Sequence, residues 1–163
     1  MDDRIFLKEA VKKSKESVVA GGFPVGVVLV RGEKIIASGL SNGKQLSDPT
    51  SHAEITAIRA ACKKLRTRDL NNVILYSSLE PCLMYYSASV WASILRIVYV
   101  CGRARVSRQH FEGDHDLKTI NGKSRKPIEI VSFSELEEEA LQVIEDWEEK
   151  ISKKLPASTP QSV

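Results

Sequence analysis

Long apolar runs are missing from this 163-residue chain: none approaches the roughly 18–20 residues that a bilayer-crossing helix needs. The opening Met1-Asp2-Asp3-Arg4 also lacks a signal-peptide pattern, so a cytoplasmic protein with no membrane partner is expected. Cysteine is sparse. Cys62, Cys82 and Cys101 form an odd, scattered set, which argues against a secreted disulfide scaffold and for a reducing compartment. An excess of one charge sign is lacking too, because 24 Lys and Arg against 21 Asp and Glu leave only +3. That is too little to argue for nucleic acid by itself. No internal repeat is present. The remaining balance, 42% hydrophobic and 28% charged, excludes intrinsic disorder and suits one domain, placed at residues 1–155. Residues 156–163, Pro-Ala-Ser-Thr-Pro-Gln-Ser-Val, read as a disordered tail.

Hydrophobic periods organise the domain. Residues 3–19 place Phe6, Ala10, Val18 and Val19 among lysines, as in an amphipathic helix that Gly21-Gly22 ends. Val25–Val30 and Lys34–Ala37 flank Arg31-Gly32-Glu33 and predict a hairpin. A polar loop over Ser41–Thr50 leads to a helix from about Ser51 to Leu65, then a strand at Val73–Ser77. Pro81 is expected in the first turn of a helix reaching Ser93, followed by strands at Arg96–Val100 and Pro127–Val131. Ser134-x-x-Glu137 reads as a capping box, and Leu136, Ala140, Val143, Trp147 and Ile151 form one stripe of a last helix. Gly102–Ser124 shows no legible period. The expected fold is α/β: a mixed five-stranded sheet between helices, a three-layer α/β/α sandwich.

Two segments carry chemistry, Ser51-His52-Ala53-Glu54 and Glu80-Pro81-Cys82-Leu83-Met84-Tyr85. Each lies where a helix begins, next to free backbone N–H groups and a positive dipole end, where a thiol tends to ionise. Each residue has a plain alternative. Ser51-x-x-Glu54 has capping-box spacing, His52 alone suits a core histidine, and Cys82 alone suits a small buried hydrophobe. Their combination is the specific signal. His-x-Glu followed by Pro-Cys-x-x-Cys is the pattern of zinc-dependent nucleobase deaminases, and this chain resembles it in all but the last Cys. With the Asp48-Pro49-Thr50 prefix and Leu79-Glu80 before Pro81, the segments resemble the metal motifs of bacterial guanine deaminases and tRNA adenosine deaminases.

That resemblance implies a cytidine deaminase-like fold, a homodimer, and zinc held by one His and two Cys with a water in the open position. It makes His52 and Cys82 metal ligands and Glu54 the proton shuttle, and it assigns Asn42, Phe23 and Ala53 to substrate binding. One position departs. Three residues after Cys82, where the second thiolate belongs, stands Tyr85. A phenol oxygen lies farther from its Cβ than a thiol sulfur does, and its pKa of roughly 10 makes ionisation harder. Zinc is therefore expected to be weak or substoichiometric, with the Tyr85 ring in the packing space or across the ligand position. Cys101, about 16 positions on, does not match a ligand position.

The leading function is hydrolytic deamination of guanine or a related free base, a small-molecule partner. Wobble adenosine deamination in tRNA is the alternative, and a metal-poor, non-catalytic subunit is the alternative of another class. Tyr85, Tyr86 and Trp91 are expected to offer aromatic surface to a second subunit. His110, Glu112, Asp114, His115 and Asp116 suggest a solvated loop rather than a second metal site, although by family position this segment covers the site mouth.

Overall fold

The computed structural model describes residues 2–154. Helix α1 (Asp3–Val19) buries Phe6, Leu7, Ala10 and Val11, and the Asp2 side chain caps it by accepting the Arg4 N–H. Gly21, at φ +85°, then turns the chain in a left-handed conformation that a Cβ would disfavour. Strands β1 (Gly26–Arg31) and β2 (Lys34–Leu40) form the expected hairpin, with Gly32 and Glu33 both at positive φ. The residues of β1 are buried up to Val30, so it is an interior strand, whereas β2 lies on the sheet edge.

The rest of the sheet comprises β3 (Ile74–Leu79), β4 (Arg96–Cys101) and β5 (Glu129–Ser132). The order is β2-β1-β3-β4-β5; β1 is antiparallel to both neighbours, while β3, β4 and β5 run parallel. Helices α3 (Ala53–Leu65) and α4 (Leu83–Trp91) pack together, and α1 packs with α6 (Glu137–Lys154), so the sheet lies between two helical layers. The five-stranded mixed sheet and α/β class match the expectation. Strands β2 and β3 are both antiparallel to β1 and so finish at the same end of the sheet, and α3 and α4 are the helices that follow them there, α4 directly and α3 after α2.

Several local expectations need correction. The polar loop contains a short helix, α2 (Gly43–Leu46). Pro81 precedes Cys82, the N-cap of α4, instead of opening its first turn. Neither capping box forms. The Ser51 hydroxyl donates to Asn42 Oδ1, and Glu137 instead accepts the Gly102 N–H at 3.3 Å and pairs with Arg105 at 2.8 Å. The illegible stretch contains two 3₁₀ turns, Arg103–Arg105 and Arg108–His110, and helix α5 (Leu117–Gly122). Residues 156–163, expected to be a tail, lie outside the described residues.

Candidate active site

His52 is the N-cap of α3 and Cys82 the N-cap of α4, so two helix starts face each other across the end of the sheet. Close packing fixes this. Gly39 of β2 lies so near α3 that a Cβ there would sit 1.8 Å from the Ala53 carbonyl oxygen. His52 Nδ1 lies 3.8 Å from Cys82 Sγ. Donors sharing one tetrahedral zinc, at about 2.3 Å for sulfur and 2.05 Å for nitrogen, lie about 3.6 Å apart. The pair is therefore spaced as two ligands of one ion.

Among the described residues a third donor is missing. Tyr85 is buried, 1% exposed, and its hydroxyl donates to the Leu79 carbonyl at 3.2 Å. Burial and the nearby Glu54 carboxylate hold the phenol well above its ordinary range. Among the described residues no three His, Cys, Asp or Glu side chains cluster as a metal site. Cys101 is buried at the end of β4, with its Sγ 3.8 Å from the Gly102 carbonyl, and is not part of the cavity wall. The residues present do not fit a three-donor zinc centre.

These groups line a cavity of about 320 Å³, together with Phe23, Ala53, Glu54, Leu79 and Glu80. Glu54 is 4% exposed, and burial lifts its carboxyl from 4.5 to about 7. It can therefore both hold and release a proton near neutrality. Burial lowers His52, although Glu112 opposes the effect. Cys82 is pushed up to about 11, chiefly by burial and then by Glu54 and Glu112, outweighing the backbone N–H groups of Tyr85 and Met84. At this helix start burial outweighs the backbone N–H groups.

Aromatic rings close the opposite side. Phe23 meets His110 and Trp147 with centroids 5.1 Å apart in each case, and His110 meets Trp147 at 5.8 Å. The His110 ring also bonds the Glu148 carboxylate from Nε2 at 2.5 Å. The segment carrying His110 is strapped across the mouth. Arg103 lies over the Phe111 ring at 4.3 Å, and Glu112 accepts the Leu83 N–H at 2.7 Å.

Of the residues singled out by sequence, Phe23, His52, Ala53, Glu54, Cys82 and Tyr85 all meet in this cavity. Asn42 is not part of its wall; its Oδ1 accepts from Ser51 at 2.6 Å. The segment that the resemblance placed over the site mouth supplies Gln109, His110 and Phe111 to the wall, whereas sequence reasoning missed Trp147 as a wall residue and Glu112 as the strap's fastening. Trp147 belongs to the stripe read for the last helix and is half-buried, and nothing in the sequence set it apart from the other residues of that stripe.

Residues 1–101 match the family described as the cytidine and deoxycytidylate deaminase zinc-binding region. Over 130 residues the chain is 41% identical to guanine deaminase of Bacillus subtilis, covering 79% of this chain and 81% of that protein. It is 37% identical over 99 residues to a tRNA-specific adenosine deaminase of Aquifex aeolicus, spanning 61% of this chain and 66% of that one. The solved structure of the Bacillus subtilis guanine deaminase superposes with a TM-score of 0.65 at 34% identity, over 98% of this chain and 99% of that one. A guanine deaminase from Nitrosomonas europaea superposes at 0.77 with 22% identity, over 87% and 82%, a likeness of fold.

Proposed function

Because the chain belongs to the family of the cytidine and deoxycytidylate deaminase zinc-binding region, we propose that its cavity holds a nucleobase and hydrolyses an exocyclic amine from it. Water adds at the ring carbon, the amine leaves as ammonia, and a carbonyl oxygen remains. The observation that carries this reading is Glu54, a buried carboxyl held near neutrality beside His52 and Cys82. It is placed to take the water proton and deliver it to the ring nitrogen and the departing amine. Phe23 and Ala53 supply wall; Asn42, which the resemblance assigns to the base, lies behind that wall with its Oδ1 accepting from Ser51, and a contact with the base would use its amide nitrogen. The likeness to Bacillus subtilis guanine deaminase favours guanine or a related base over tRNA.

Zinc is the metal of the family. With only His52 and Cys82 suitably placed, we infer that this chain holds zinc weakly and substoichiometrically. A homodimer, a single domain over residues 1–155 and a cytoplasmic location complete the reading, the last resting on three unpaired cysteines. A second reading is favoured by the buried, hydrogen-bonded Tyr85: a base-binding subunit without turnover.

Metal content and ammonia release, measured for this chain and for Tyr85→Cys with zinc supplied, test both. The expected result is near-stoichiometric zinc and at least tenfold faster ammonia release in Tyr85→Cys, both well above the Tyr85 chain. Adding Glu54→Gln should abolish turnover while leaving the metal bound. Base binding without ammonia release by the Tyr85 chain would establish the second reading. Inosine appearing only in an anticodon stem-loop would transfer the activity to tRNA. A folded, zinc-loaded Tyr85→Cys chain that deaminates no base, nucleoside, nucleotide or stem-loop would overturn the proposal.

A further inference from the structure

The candidate active site does not end at the aromatic rings. A second cleft of about 530 Å³ adjoins it, and the two share Phe23, Ser41, His52 and Trp147 as common wall. The inner cavity includes two acids, Glu54 and Glu80, whereas the described wall of the outer cleft has no Asp or Glu. It has three lysines, Lys44, Lys150 and Lys154.

Their placement follows from local structure. Trp147, Lys150, Ile151 and Lys154 recur at the i, i+3, i+4 and i+7 positions of α6, so the face that presents Trp147 to the inner cavity continues as lysines. Lys44 comes from α2, a separate element of the same cleft wall. All three are exposed, and among the described residues none forms an ion pair. Helix α6 is acidic, yet three of its nearby carboxylates are engaged elsewhere. Glu148 bonds His110, Glu149 pairs with Lys153, and Asp146 accepts from Gln142.

A free base needs only the inner cavity. The outer cleft continues from the Phe23 and Trp147 rings, is polar at Ser41 and Ser51, and is lined by the three lysines. Lysine is a point-charge partner for phosphate. We propose that the outer cleft binds the sugar phosphate of a purine nucleoside monophosphate whose base occupies the inner cavity, making a nucleotide the preferred ligand. This rests on the nucleobase reading of the inner cavity and specifies the substrate class.

Equilibrium dialysis of the full chain against guanine, guanosine, GMP and a short single-stranded RNA tests it, with binding rather than turnover as the readout. GMP should bind at least about tenfold more tightly than guanosine or guanine, with an advantage that shrinks as salt is raised. Lys150→Gln with Lys154→Gln should bring GMP to the guanosine level and leave guanine unchanged. The Lys150→Arg, Lys154→Arg pair should retain most of the preference. If guanine binds as tightly as GMP and the lysine variants change nothing, the outer cleft is not a phosphate site, although the nucleobase reading stands. If neither guanine, guanosine nor GMP binds, the inner-cavity reading itself fails. Lysine-dependent RNA binding without GMP binding would overturn the mononucleotide in favour of a polymer.

Discussion

A carboxyl as deeply buried as Glu54 makes the stability of the metal-free protein depend on pH. Its proton is held up to about pH 7 in the fold, whereas the ordinary value is 4.5. Folding is therefore favoured by this group fully below pH 4.5, and the contribution disappears as pH rises through 7. The difference corresponds to about 3 kcal/mol at the alkaline end. Glu54→Gln keeps the shape without the titration. Chelator-treated Glu54→Gln is expected to gain about that much over its parent at pH 8.5, and little at pH 4.5, by urea denaturation. A constant difference across the range would show that Glu54 is not held neutral by burial. Tyr85 gives a second test. Tyr85→Phe removes the hydroxyl that bonds the Leu79 carbonyl and should cost about 1 kcal/mol without changing zinc content. Loss of metal in Tyr85→Phe would instead mean that the phenol is a ligand.

At the scale of elements, the site depends on helices held tightly against strands. A methyl at Gly39 would meet the Ala53 carbonyl at 1.8 Å, so Gly39→Ala must push away the start of α3, with His52 and Glu54 on it. The expected cost is about 3 kcal/mol together with loss of base binding. Gly32→Ala is the contrast. Its φ of +53° costs about 1 kcal/mol, but nothing lies within 4 Å of the added Cβ and the site should be untouched. Equal damage from both would remove α3 packing as the cause. The hairpin, α1 and the helix starts were legible because period, turn residues and polar breaks agree along the chain. Short α2 was hidden inside a polar loop, with no buried residue to give it a period. Both capping boxes had the right spacing, but their side chains found tertiary partners, Asn42 for Ser51 and Gly102 with Arg105 for Glu137. Spacing cannot register such competition.

For the whole molecule, the motif half of the site could be read locally, whereas its cover was placed only by resemblance and its partner Trp147 not at all. His52, Glu54 and Cys82 lie on two helix starts, whereas His110 and Trp147 meet through folding across 37 positions of sequence, counted as 147 minus 110. The same gap between local and global explains the expected aromatic surface. Tyr85 and Tyr86 are buried at 1% and 4%, because they face the sheet and α5 rather than solvent. Only Trp91 of the three is open, at 86%, with Leu95 at 58%. Two exposed apolar side chains are less than a stable interface requires, which is about 1,000 Å² in total. Trp91, however, lines a cleft with Tyr86, Val90 and Ile120, alongside Lys123, Arg125 and Lys126, so apolar area extends beyond that ring. A second copy of the chain across α4 would cover it. Light scattering at micromolar concentration should therefore give twice 18.1 kDa. Trp91→Glu should give a monomer that keeps its circular dichroism, since so exposed a ring contributes little to the core. A particle of 18.1 kDa for the unaltered chain would remove the dimer, and a Trp91→Glu dimer would move the interface to another face.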